Sequence, residues 1–443
     1  MKGKKLLIVF VLILLFVAAW AAAVMAATGI QKKQEQSTLV EEADALAAKG
    51  LYVRAIPLYE EALGISTESN AQIEAKLLGS YLAHGDRHDY VMLTQTRQAN
   101  GTASEDEIIN AAGMLLDSSD INESMDMITK GIETTGSQKF IDFYEENAYG
   151  YRVNRITEYE TIIPAANDSL LAAYDGKYWH YIDSEFGWEA DSVSYDSATA
   201  YSKEGYAAVS ADGRYYVILE DGDRYGTTDE KFEDIYGVSG THILARKNGK
   251  YSYYNFDFEP VGASYQFDAI TANSCGVAAV KSGDRWGVIT DSGETVIEPV
   301  LEDVAVNSLK TAFSNDVAMV KREGRWHLIN TKGEDVIEAT FADARAPESD
   351  QYIAVADESG KWGFIDYNGE LKIPYQYQDA RSFSDGMAAI MQGGRWKYIS
   401  MRNTVVADED MTEALPFHNG KAIVKKTDCM AIIRMQYVNT SKY

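Results

Sequence analysis

VAAVKSGDRWGVITDSGETVIEPVLEDV, starting at Val277, is the stretch whose reading decides the fold. Small and branched residues such as Ala278 and Val280 suit a strand with one closely packed face, and a Gly-basic turn leads into a second strand that carries Trp286. Seven residues past that tryptophan Gly293 supplies another turn, and a short third strand, Val296-Ile297, precedes the closing pair Asp303-Val304. The pattern returns as VAMVKREGRWHLINTKGEDVIEATFADA from Val317, IAVADESGKWGFIDYNGELKIPYQYQDA from Ile353 and MAAIMQGGRWKYIS from Met387. Earlier copies read LLAAYDGKYWHYID, YAAVSADGRYYVIL and HILARKNGKYSYYN, with tyrosine for tryptophan, and KAIVKKTDCMAIIR is a degenerate last copy.

The aromatic anchors of these copies are Tyr178, Tyr215, Tyr251, Trp286, Trp326, Trp362 and Trp396, with Met430 in the eighth. Their intervals are 37, 36, 35, 40, 36, 34 and 34 residues, a regularity that marks a repeat architecture. The stretch 166–443 resembles the WG-repeat family, named for the Trp-Gly pair kept here as Trp286-Gly287 and Trp362-Gly363, whereas Trp326-His327 and Trp396-Lys397 depart from it. One antiparallel meander cannot bury its own aromatic ring, so each copy must stack on the next. A closed β-propeller of seven or eight blades is the favoured arrangement, with an open β-solenoid as the alternative.

Working toward the N-terminus, residues 151–165 read as a connector and 38–150 as helical. Ala43, Leu46, Gly50, Tyr52, Ala55, Ile56, Tyr59, Ala62 and Leu63 are spaced as two antiparallel helices joined at the glycine, and the turn recurs near Gly85 and Ser119. This pattern resembles the tetratricopeptide repeat, whose all-α superhelix implies a groove for a protein or peptide. Residues 137–149 supply a candidate capping helix.

Residues 28–37 read as a polar linker, and before it Leu6–Ala27 is an uninterrupted apolar run following Lys2, Lys4 and Lys5. As a helix this run would extend about 33 Å, enough to cross a bilayer core. The expectation is a single transmembrane anchor over 6–27 with a cytoplasmic basic stub at 1–5 and the bulk of the chain extracytoplasmic; a signal peptide cleaved after Val24-x-Ala26 is the alternative. Together with the family resemblance, this implies a bacterial cell envelope.

Composition narrows function. The 443 residues carry a net charge of -26, or -29 beyond residue 27, which opposes binding to a phosphate backbone. Two cysteines, Cys275 and Cys429, are too few for a disulfide scaffold or a four-cysteine zinc site. His84 and His88 flank the turn glycine Gly85, so their four-residue spacing lacks helical support for a metal site. DGDRYGTTDEKFE, from Asp221, imitates a calcium loop but puts Phe232 where the bidentate glutamate belongs. No phosphate loop or nucleophile elbow occurs, so no cofactor, metal or catalytic residue is assigned. Tyr174, Trp188, Tyr265, Tyr375 and Tyr377 fall outside the anchor position and are candidates for a ligand surface. The expected function is a non-enzymatic scaffold binding a protein partner, with binding of cell-wall glycan and an envelope hydrolase as alternatives.

Overall fold

The computed structural model describes residues 28–65, 71–167, 170–185, 187, 190, 193–261 and 266–437. They fall into two compact units, a helical one ending at Ala148 and a β one starting at Tyr149.

Seven helices make up the first unit: α1 (28–47), α2 (Tyr52–Ile65), α3 (Ala71–His84), α4 (Arg87–Ala99), α5 (Glu105–Asp117), α6 (Ile121–Thr135) and α7 (Gln138–Asn147). Residues 28–37, read from sequence as a linker, thus belong to α1. Tight turns fall at Gly50, Gly85 and Ser119, each with φ in the left-handed region. Ser104 and Glu107 form a reciprocal capping box at the start of α5, satisfying two N–H groups that a helix start leaves open. Phe140 of α7 is fully buried and lies against Gly131, where a Cβ would come within 2.8 Å of its ring.

The tetratricopeptide superhelix is corrected to a seven-helix region in which the turns keep their spacing and the packing chemistry does not. Ala62, Arg97 and Gly131 follow one another at repeat spacing on α2, α4 and α6, and all three are buried. Arg97 is held between Glu74 at 2.9 Å and Glu107 at 3.3 Å, so a charged cluster occupies a site where repeated helix pairs would place a small residue.

The membrane anchor is corrected as well. Among the described residues no helix is long and apolar enough to cross a membrane. The longest of α2–α7 has 15 residues, about 22 Å, and α1 carries Lys32, Lys33, Glu35 and Asp44. The extracytoplasmic placement built on that anchor therefore loses its support; residues 6–27 lie outside the described residues.

Among the described residues eight β-hairpins organise the second unit, one to a blade: 170–183 in blade one, 206–219 in two, 242–254 in three, 277–290 in four, 317–330 in five, 353–365 in six, 387–400 in seven and 421–435 in eight. Side chains alternate along each strand. Val277 and Ala279 enter the core shared with blade five, while Ala278 and Val280 enter the one shared with blade three. Successive blades share cores all the way round, and Ile423, Met430 and Ile432 of blade eight pack with Ile162, Ala172 and Tyr181 of blade one. The arrangement is a closed, propeller-like ring.

Ring closure uses a segment read from sequence as a connector. Tyr151–Ile156 pairs antiparallel with Met430–Met435 as the outermost strand of blade eight, and Thr161–Ile163 is the innermost strand of blade one. Likewise, Asp303-Val304, Asp343-Ala344 and Asp379-Ala380 do not close their own copies. Each opens the next blade as its innermost strand, so the structural blade is offset from the sequence repeat.

The Trp-Gly pair has a local cause. Gly287 and Gly363 lie beside a bulge in the outer strand, where a Cβ would come within 2.5 Å of the Ile297 carbonyl or 2.7 Å of the Ile373 carbonyl. Both bulges contain a proline, Pro299 and Pro374. The copies with His327 and Lys397 in place of glycine have no proline there.

Basic side chains lie over the anchors of blades three to seven. Arg246, Lys281 and Lys321 reach Tyr251, Trp286 and Trp326 from the paired strand. Where that position is Ala356 or Met391, the cation comes instead from the residue just after the innermost strand, Arg345 lying 4.4 Å from the Trp362 ring centre and Arg381 5.4 Å from that of Trp396.

Candidate functional site

The loop joining the innermost strand to the next one is short in most blades: six residues at 271–276, 381–386 and 415–420, and eight at 345–352. In blade five it is twelve, 305–316. The surplus accounts for the single 40-residue interval between anchors, from Trp286 to Trp326.

This long loop crosses the ring. Asn307 accepts from the N–H groups of Leu309 and Thr311 at 3.1 and 3.0 Å, folding the loop tip on itself. Ser308 lies 2.7 Å from Nε2 of His418 in blade eight, and its N–H donates to Oε1 of Glu348 in blade six at 3.3 Å. On the other side the Lys310 ammonium donates to the Tyr236 carbonyl in blade three at 2.6 Å and sits 4.4 Å from that tyrosine's ring centre. The Lys310 carbonyl accepts from the N–H of Ala272 in blade four. Four other blades are thus tied to one crossbar.

Around the crossbar lies a cavity of about 1300 Å³ to which all eight blades contribute, from Ile163 in blade one to Asn419 in blade eight. Its walls are mixed: hydroxyl and amide groups such as Ser239, Thr241 and Asn273 alternate with apolar Val238, Leu244 and Phe313, and exposed Lys203, Glu204 and Asp291 bring charge to it. Glu348 is 4% exposed, and burial pushes its carboxyl up to about 8, although the Ser308 hydrogen bonds pull the other way. Burial pulls the His418 imidazole down to about 4 and lowers Lys310 from its ordinary value. At neutral pH the acid and the imidazole, 3.8 Å apart, are therefore both uncharged. Asp385 accepts from the Gly420 N–H at 2.7 Å, and Asp291 accepts from the Asn273 amide.

A serine, a histidine and a glutamate in contact invite comparison with a hydrolytic triad. Here the carboxyl approaches the same Nε2 that Ser308 occupies and is held protonated, whereas a triad needs an ionised carboxylate on the opposite ring nitrogen.

The residues singled out from sequence lie elsewhere. Trp326, Trp362 and Trp396 are buried core, while Tyr215, Tyr251 and Trp286 are half-buried. Trp179 replaces Tyr178 as the anchor of blade one, because Tyr174 pairs with Trp179 as Lys281 does with Trp286. Tyr174 is half-buried against Trp179, with ring centres 5.2 Å apart, and Tyr375 packs on the core between blades five and six. Tyr377 is 5% exposed and donates to Asn403, which removes it from any surface. Trp188 and Tyr265 lie outside the described residues. None of Tyr174, Tyr375 and Tyr377 lines the cavity.

Among the described residues no group of three His, Cys, Asp or Glu is placed to hold a metal. His84 and His88 fall on different helices across the Gly85 turn, and Gly226 of the calcium-like stretch is required because a Cβ would meet the Phe256 carbonyl. Both cysteines are free thiols; Cys275 lines the cavity and its Sγ accepts from the Asp316 N–H at 3.4 Å.

Comparison with known proteins adds the following. Among solved structures the chain is similar to the WD40 domain of SCAP from fission yeast (9% identity, 65% of this chain and 98% of that one, TM-score 0.43). It is also similar to a eukaryotic initiation factor (12%, 63% and 86%, TM-score 0.41) and to Kluyveromyces lactis Hsv2 (12%, 64% and 98%, TM-score 0.36). No curated protein matches. Residues 286–326 and 362–396, which open on the two Trp-Gly pairs, match the WG containing repeat.

Proposed function

We propose that this chain is a non-enzymatic interaction protein whose β ring holds a protein partner at the crossbar end. One observation carries the reading: all eight blades converge on one cavity crossed by the tied loop, with its buried Glu348 and His418 uncharged at neutral pH. The Ser308, His418 and Glu348 cluster inside it lacks the ionised carboxylate and the geometry that would activate a nucleophile. The WG repeats supply the frame, because each blade's core is shared with its neighbours and the loops they carry are held at fixed positions.

The test is site-specific photocrosslinking in the full chain, with a benzophenone side chain at Thr241 or Ser202 in the cavity and at Thr295 on an outer strand. The cavity positions should capture a protein and the outer position should not. Turnover of a peptide, ester or glycan panel that disappears in His418→Gln would contradict the reading.

A further inference from the structure

We infer that Arg345 and Arg381, side by side at the anchor end of blades six and seven, form a binding site for a carboxylate. The site lies apart from the crossbar cavity, which neither arginine lines, and does not depend on what that cavity holds.

Both arginines follow directly on an innermost strand and hold the same place in its register. Arg345 donates its backbone N–H to the Ala354 carbonyl and Arg381 to the Ala389 carbonyl. Thr199, Thr271, Ala305 and Leu415 make the corresponding bond in blades two, four, five and eight, so of these six positions only two neighbouring ones carry a charge. The arginine side chains turn back toward the anchors, Arg345 over Trp362 and Arg381 over Trp396, at the far end of the hairpins from the crossbar loops.

The two guanidinium groups differ in what they hold. Arg345 donates from Nε to the Ala380 carbonyl at 3.2 Å and from a terminal nitrogen to Asp379 at 2.7 Å. Arg381 makes no side-chain hydrogen bond among the described residues, and its Nε is buried without an acceptor. The Trp396 ring, 5.4 Å from the cation, supplies attraction but no oxygen. A guanidinium carries five N–H donors, and leaving them unmet away from water is costly, so an arriving pair of oxygens is rewarded here more than on an open surface. Burial and the neighbouring Arg345 charge hold Arg381 below its ordinary value, the direction expected of a cation short of countercharge.

Charge selects the ligand class. Asp379 answers one of the two guanidinium charges. Of the other acids that act on Arg381, Glu348 is protonated at neutral pH, and Glu413 is exposed and makes no hydrogen bond to it. The positive charge left over suits a monoanion, whereas a phosphate dianion would bring excess negative charge against Asp379 and Glu413. The two oxygens of a carboxylate also match the fork of N–H groups that a guanidinium presents. Both arginines are only half-buried, which leaves such a group a way in.

The test uses the full chain at constant ionic strength, with trifluoroacetate as the probe and its fluorine NMR signal as the readout. The signal should broaden with the parent and broaden at least about threefold less with Arg381→Gln or Arg345→Gln. Arg381→Lys, which keeps the charge but loses the fork, should fall between. An Arg381 that merely packs on Trp396 would alter the melting curves of its variants and leave the signal alone. Displacement of the probe sorts the source of the carboxylate. A blocked peptide with one central Glu that displaces at lower concentration than acetate points to a partner's side chain, and acetate displacing at equal or lower concentration points to a small molecule. Stronger displacement by inorganic phosphate, or by the same peptide with Gln for Glu, overturns the inference, as does a signal that fails to broaden with the parent or broadens undiminished with both Arg381 variants.

Discussion

The two units treat repetition differently. In the helical unit the turns at Gly50, Gly85 and Ser119 keep a period of 35 and 34 residues, while the buried position that follows changes from Ala62 to Arg97 to Gly131. In the β ring the alternating small and branched residues persist from blade to blade, and the anchor is aromatic in all but the eighth, where Met430 stands. The contrast follows from closure. A helix in a stack meets only its neighbours, so a local charge cluster can replace a small residue. Eight blades sharing cores with a last-to-first contact must all have compatible thickness, and that requirement holds the packing residues in place.

Truncating an anchor should give the largest effect. Trp362 is 5% exposed with Arg345 over its ring, so Trp362→Ala should cost about 3–5 kcal/mol in urea denaturation, and Trp286→Ala, half-buried, clearly less. If the two cost the same, the blades are not sharing cores as described. Next comes the helical unit's charge cluster. Arg97→Met leaves Glu74 and Glu107 facing each other without their cation and should cost about 3 kcal/mol, seen as early melting of helical circular dichroism.

Gly363→Ala should cost about 1–3 kcal/mol, since its Cβ would press on the Ile373 carbonyl, whereas His327→Ala in a blade without the proline bulge should stay within about 0.5 kcal/mol. The smallest effect is a pH dependence. Glu348 titrates higher in the folded chain than unfolded, so its contribution is fully present below the ordinary carboxyl range and is lost as pH rises through about 8. Glu348→Gln should match the parent's Tm near pH 5 and exceed it by a few degrees at pH 9. His418 works in the opposite sense: its contribution is present above pH 6.5 and is lost as pH falls through about 4.

Much of the ring was legible in advance because its packing residues recur in register: Val277, Val317, Ile353 and Met387 each begin a buried strand. Where two rings are adjacent, as in Tyr178-Trp179, spacing alone could not choose between them; the hairpin register did. The closing strand Tyr151–Ile156 carries no repeat motif, since its partner lies at the far end of the chain. Ser308, Lys310, Glu348 and His418 also carry no motif, and they meet only because the ring brings distant blades together. One signal for them was present, the 40-residue interval, whose surplus length had to go somewhere. Surface aromatics drew attention instead, and Tyr377 shows why that misleads: on an outer strand, alternate side chains turn inward.

The central claim is that the one overlong repeat ties opposite parts of the ring into a polar junction across the cavity. A double-mutant cycle with Ser308→Ala and His418→Gln, read by urea denaturation at pH 7, tests it most directly. The account predicts that the two changes are coupled by about 1 kcal/mol, because each removes the other's partner across 110 residues of chain. Additivity within about 0.3 kcal/mol would contradict it.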